Sequence, residues 1–441
     1  MRNTARVAPG SGEPAAEVPD HGPVRYGPSA PELGLPVLPE LAAVVAAAAG
    51  GAGEEPVGGG DGLLAAAAGH WARRGLPTDP GHVAAAPGAS ALLHAVTAAV
   101  GGDVLLPRPC PAWWAPQLRL QGRRAWTVPT PAECGGIPDP YALLETVRRV
   151  RAEGGDPRLL LLSVADDPTA TVPPPEALYE TVRVAAGEGL HLVSDETWRD
   201  TLHPAPSAPH DARDTAPPTG GTVLIGPAEM FPEHVTVLTD LVGSLTPPGW
   251  PAAVALFPAT ALGARLRSRA LDVLTALRAT VATPVAAAAA YALDEPPEVV
   301  ARAEAAARLH GTLAAALHRT VLAAGGLARP PRAGRHLYAD LDALRPGLAR
   351  LGVTDAPELE THLTERLGMP APGGHRFGDA IGALRVRLST GPLLGATPED
   401  RLESLHAKDP LHLPHVAHAM HRIETALDVP GAGAHGTETP R

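Results

Sequence analysis

Short apolar runs of strand length alternate with Ala/Leu/Arg stretches of helical spacing through the middle of the chain. The runs Asp103–Leu106, Ala125–Val128, Leu159–Ser163, Leu190–Ser194, Val223–Ile225, Val235–Thr239 and Ala253–Phe257 carry little polar alternation. Continuous apolar strands separated by helices predict a mostly parallel sheet buried on both faces. Downstream, helical patterning covers residues 259–289, with a break expected near Pro284, and then Pro297–Ala323. Strand-like Leu337–Leu341 and Leu384–Ser389 follow among helices, and a last helix is expected over Leu413–Leu427. This second half reads as a smaller α+β unit. Residues 1–36, rich in Pro and Gly, read as an extended arm, and 430–441 as a disordered tail. The expected division is therefore 1–36 arm, 37–290 large α/β domain, 291–429 small C-terminal α+β domain and 430–441 tail.

Composition narrows the function classes. With 45% hydrophobic residues but only 3% aromatics, the core must be built from Ala, Leu and Val. A net charge of −11 argues against nucleic-acid or anionic-membrane binding, which needs a surplus of Lys and Arg on one face. No apolar run approaches the roughly 18 residues of a membrane span, and the amino terminus lacks a signal peptide's apolar segment, so a cytoplasmic protein is expected. Cys110 and Cys134 have neither disulfide-framework nor metal-ligand spacing and read as reduced structural thiols. Lys408 is the only lysine in the chain.

In open α/β sheets ligands bind beyond the carboxyl ends of the strands. Four segments lie at such places or beside them. Gly88-Ala89-Ser90 precedes a helix, where free N–H groups and a hydroxyl can cradle a phosphate. Asp167-Pro168-Thr169-Ala170 follows the run ending at Ser163, and Ser194-Asp195-Glu196-Thr197-Trp198 follows the next. Arg385-Val386-Arg387 lies in the smaller half.

In this order and spacing the four motifs resemble the class I/II aminotransferases, the aspartate-aminotransferase-like fold type I enzymes that use pyridoxal phosphate (PLP). The resemblance runs from about Leu63 to Leu427. It implies a fold type I α/β architecture, a homodimer in which the amino-terminal arm crosses to the partner, and an amino-acid-like ligand. It also implies that Asp195 pairs with the pyridine nitrogen of the cofactor, where a buried carboxylate keeps that nitrogen protonated. Arg387 matches the arginine that holds the substrate carboxylate, and Arg385 remains a second candidate because strand alternation puts both on one face. Gly88, Ala89, Ser90, Asp167 and Trp198 fall at cofactor-contacting positions, and Trp113 or Trp114 can supply a ring face near Pro111, where the family has its stacking aromatic.

The departures from the family pattern fall around one ligand. The lysine that forms the family's Schiff base belongs at Gly243, six residues before Gly249, and the phosphate-binding arginine belongs at Pro251. Asp167 replaces an asparagine and would set a carboxylate against the cofactor's phenolic oxygen. Ala170 replaces a glycine, and Trp198 a tyrosine. Lysine both tethers the cofactor and shuttles a proton, and glycine does neither. The expected function is thus a diverged aminotransferase-fold protein, without lysine-dependent PLP transamination, that binds a small carboxylate-bearing ligand or performs PLP-independent chemistry in the inherited cleft. A PLP enzyme holding its cofactor non-covalently is the alternative, and whether the chain is an enzyme stays open. No metal is expected: His412, His415, His418 and His421 recur every three residues, but no carboxylate or cysteine in the sequence pattern completes a ligand set.

Overall fold

The structure is a computed structural model and describes residues 34–51, 53–204 and 224–429. Seven strands form the main sheet: β1 (Val83–Ala86), β2 (Asp103–Arg108), β3 (Ala125–Pro129), β4 (Pro157–Ser163), β5 (His191–Asp195), β6 (Val235–Asp240) and β7 (Ala253–Leu256). Their spatial order is β1-β7-β6-β5-β4-β2-β3. From β6 through β3 all neighbours are parallel, whereas β7 runs antiparallel to both β6 and β1. The expected pairing of the strands at Leu159–Ser163 and Leu190–Ser194 is present, with Leu161 opposite Val193 and Ser163 opposite Asp195.

Period-2 alternation divides each strand between two apolar layers. Leu160, Leu162, Leu192 and Val237 pack with Trp71, Leu143, Val147 and Leu178 on one face. Leu159, Leu161, Val193 and Leu238 pack with Leu92, Val96 and Leu266 on the other. Burial on both faces is why these strands read as unbroken apolar runs.

A second sheet of β8 (Leu327–Ala328), β9 (His336–Asp340) and β10 (Arg385–Ser389) is antiparallel throughout, with β9 in the centre. Its core gathers Leu337, Ala339, Val386 and Leu388 with Leu313 and Leu317 of the helix Pro297–Ala323 and Ile423 of the helix Pro414–Leu427. The expected boundary at 290 falls inside the helix Thr283–Leu293, whose Ala286, Ala289 and Leu293 belong to the core of the main sheet.

The break expected near Pro284 is present, between the helices Ala261–Ala276 and Thr283–Leu293, while two other elements differ from expectation. Pro284 sits in the first turn of the second helix, where a missing N–H costs no helical bond. Leu224 and Ile225 lie outside any strand and lead into the short helix Pro227–Met230, while Val223 lies outside the described residues. β1 was not expected, because Val-Ala-Ala-Ala carries a helical propensity that pairing with β7 overrides. Residues 1–33 of the expected arm and the tail from 430 lie outside the described residues. Cys110 and Cys134 are both buried free thiols. Among the described residues no helix is long and apolar enough to cross a membrane.

Candidate functional site

The parallel neighbours β4, β5 and β6 end at Ser163, Asp195 and Asp240. The chain beyond these ends, the amino end of the helix Ala89–Val100 and residues of the second sheet enclose a cleft of about 410 Å³. Of the residues marked in the sequence, Ala89, Ser90, Trp113, Asp167, Asp195, Trp198 and Arg387 line it. Gly88 caps the same helix at φ 105°, a backbone conformation that glycine takes at little cost.

Trp114 and Arg385 do not line the cleft, and neither do Gly88 and Gly243. Trp114 is 1% exposed and belongs to the core of the main sheet, edge-on to Trp113. Arg385 and Arg387 do share a face of β10, but Asp340 stands directly across the strand pair from Arg385. Arg385 bonds Asp340 and Asp379, each at 3.0 Å, and is held outside the cleft by these two carboxylates.

Arg387 instead donates from Nη1 to Asp167 Oδ1 at 3.1 Å, with its guanidinium 4.8 Å from the Phe377 ring centroid. His336 Nδ1 lies 3.4 Å from the same Asp167 oxygen. Asp167 thus faces a guanidinium and an imidazole within the protein, beyond the cofactor oxygen that the sequence set against it. At the floor, Asp195 Oδ1 accepts the Thr197 N–H at 3.0 Å. Burial pushes the Asp195 carboxyl up to about 7, against the opposing pull of its bonds from Thr197.

Among the cleft residues that carried no mark in the sequence are Asp240, Arg335 and His336. Asp240 Oδ2 accepts the N–H of Ala89 at 3.0 Å, and Oδ1 accepts that of Val242 at 2.9 Å. Its own N–H donates to Thr197 Oγ1 at 3.0 Å, which links the ends of β5 and β6. Burial raises its carboxyl above the usual range. An acid closing an apolar strand, as in Val-Leu-Thr-Asp240, was the available signal, the same one that marked Asp195. Arg335 lays its guanidinium 5.0 Å from the Trp198 ring centroid, and His336 meets that indole edge-on at 5.7 Å.

A family model for aminotransferase class I and II matches residues 55–391. The chain belongs to that family. Among solved structures it is similar to a tetra mutant of Thermus thermophilus aspartate aminotransferase, with 20% identity and a TM-score of 0.68 over 90% of this chain and 94% of that one. It is also similar to the aspartate aminotransferase from Rhizobium meliloti, at 14% identity and TM-score 0.70, covering 92% and 91% of the two chains. N-succinyldiaminopimelate aminotransferase from Mycobacterium tuberculosis gives 21% and 0.67, over 90% and 91%. At these identities the likeness establishes the fold, the aspartate-aminotransferase-like fold type I. Among curated proteins none matches the chain by sequence.

Set in that family, the altered positions have distinct surroundings. Ala170 lies at φ 56°, a left-handed backbone that costs an L side chain roughly 1–2 kcal/mol. Gly243 also lies at positive φ, 89°, and its N–H donates to Thr246 O at 2.8 Å. A Cβ built on Gly243 would strike the Arg335 guanidinium. Lys408 lines a separate cavity of about 720 Å³ with His203, Arg332 and Ser404, and none of that cavity's lining residues lines the cleft. Asp400, Glu403 and His415 bring ligand atoms within 4.8 Å of one another, so two carboxylates do approach one of the four histidines, outside the cleft lining. His412 and His421 pair with Asp409 and Glu424 instead.

Proposed function

We propose that this family member does not run lysine-dependent PLP transamination and that its cleft binds a small carboxylate-bearing, amino-acid-like ligand through Arg387, free or for PLP-independent chemistry. The observation that carries this reading is at Gly243. Residue 243, which the resemblance gives to the lysine, is a glycine without an amine, and Lys408, the only lysine of the chain, lines another cavity. Two further features oppose the cofactor. The Ala89 N–H is committed to the Asp240 carboxylate, and Pro251 offers no cation at the position that the resemblance gives to the phosphate-binding arginine. On these observations the residues present do not fit PLP, and no chemical step is assigned to it.

Arg387 and Asp167 support the ligand class. A guanidinium presents five N–H donors in a planar fork, and one bond to Asp167 leaves capacity for a carboxylate. The side chain is 14% exposed, which gives a ligand charge little screening by solvent. Non-covalent PLP is the second reading, and one observation favours it: Asp195 stands buried at the end of β5, facing the cleft. A homodimer belongs to the same proposal, by analogy with the resembled family.

Calorimetric titration of the purified protein with small mono- and dicarboxylates and with free amino acids tests the reading. At least one should bind with Kd below about 1 mM, a binding free energy near −4 kcal/mol. Added PLP should produce no absorbance band beyond that of PLP with free amine. Absence of binding by every carboxylate, or a saturable PLP band at stoichiometric cofactor, would contradict it.

A further inference from the structure

A helix start offers unpaired N–H groups and the positive end of the helix dipole, and a phosphate is the common occupant. At the start of the helix Ala89–Val100 that place has an occupant within the chain. Asp240 Oδ2 accepts the Ala89 N–H at 3.0 Å. The carboxylate is fixed further by the Val242 N–H on Oδ1 and by the bond from its own N–H to Thr197. It lines the cleft beside Ala89 and Ser90. The helix start thus faces an anion of the phosphate's own sign.

We propose that Asp240 is the residue that excludes phosphate-bearing ligands from this cleft: its carboxylate is a built-in anion for the helix start, and the ligand class is restricted to non-phosphorylated carboxylates. The exclusion does not depend on the missing amine, since it acts on a ligand's phosphate and not on an imine-forming carbon. It rests on the proposed reading only in taking this cleft as the ligand site. A phosphate entering the cleft would lose the Ala89 N–H and meet a like charge in partly buried surroundings, where screening is weak.

The test uses pyridoxine and pyridoxine 5′-phosphate, which lack the aldehyde and so cannot form an imine with Lys408 or the amino terminus. Their affinities are measured by quenching of tryptophan fluorescence, since Trp113 and Trp198 line the cleft, with inorganic phosphate as competitor. The unmodified protein should bind pyridoxine at least as tightly as pyridoxine 5′-phosphate, and Asp240→Ser should shift the ratio toward the phosphorylated compound by about tenfold or more, with inorganic phosphate now competing. Asp240→Asn, nearly isosteric, should move in the same direction and serves if the serine variant does not fold. A preference for the phosphorylated compound in the unmodified protein would overturn the proposal. So would a folded variant with no gain. Neither outcome bears on carboxylate binding or on the missing tether, so a failure here is separable from a failure of the proposed function.

Discussion

Arg387→Ala is expected to weaken binding of a small carboxylate by roughly 10- to 150-fold, equivalent to about 1.5–3 kcal/mol for one charge-assisted contact in a poorly solvated site. In the protein the guanidinium is bonded to Asp167, so an incoming carboxylate either shares the fork or displaces that partner. Truncation removes the donor and also leaves Asp167 with one cation fewer, and part of the loss will come from that repulsion. Arg385→Ala is the matched control. Its guanidinium is held by Asp340 and Asp379 and does not line the cleft, so affinity should change by less than about twofold. Calorimetry on both variants, with thermal unfolding to show that each is folded, checks the pair. An unchanged affinity in folded Arg387→Ala would remove this residue from the ligand site.

Asp195→Asn is expected to stabilise the protein at pH 8 and to have much less effect near pH 5. The native carboxyl holds its proton up to about 7 against an ordinary value of 3.8, because burial disfavours the charged form. Between these values the native state binds more protons than the unfolded chain. The stability gained from the protonated carboxyl is therefore complete below about pH 3.8 and is lost as the pH rises through about 7. The amide cannot ionise and keeps an oxygen for the Thr197 N–H. The advantage of the variant should grow by about 1.4 kcal/mol per unit between pH 5 and 7 and level off above, with a ceiling near 4 kcal/mol. Urea unfolding of both proteins across pH 5–8 measures it. Equal stabilities at every pH would mean that Asp195 is ionised and solvated in the native protein.

Much of the scaffold was legible because packing dictates it. β4 and β5, buried on both faces, can be written only as apolar runs, and Pro297–Ala323 announces its start with a proline in the first turn. Asp195 was legible for the same reason: a carboxylate closing such a run has left the core and entered the space where ligands bind. What was not legible depended on contacts between distant segments. Alternation places Arg385 and Arg387 on one face, and only Asp340 across the strand pair separates their roles. Trp113 and Trp114 are neighbours at the start of a helix, and one residue of rotation sends the first to the cleft and the second to the core. Arg335 and His336 reach Trp198 and Asp167 from the second sheet, a proximity with no local signature. Gly243 was legible only as a missing side chain, and the Arg335 guanidinium beside it is again a contact between distant segments.

The proposed absence of a cofactor-bonding amine is tested most directly by borohydride reduction of the native protein with PLP, followed by peptide mapping. No adduct should form at any cleft residue, and any labelling should fall on Lys408 or the amino-terminal amine, without transamination activity. A reduced adduct at Lys408 accompanied by transamination that Lys408→Ala abolishes would place the reacting amine in a working site and contradict the assignment of Gly243.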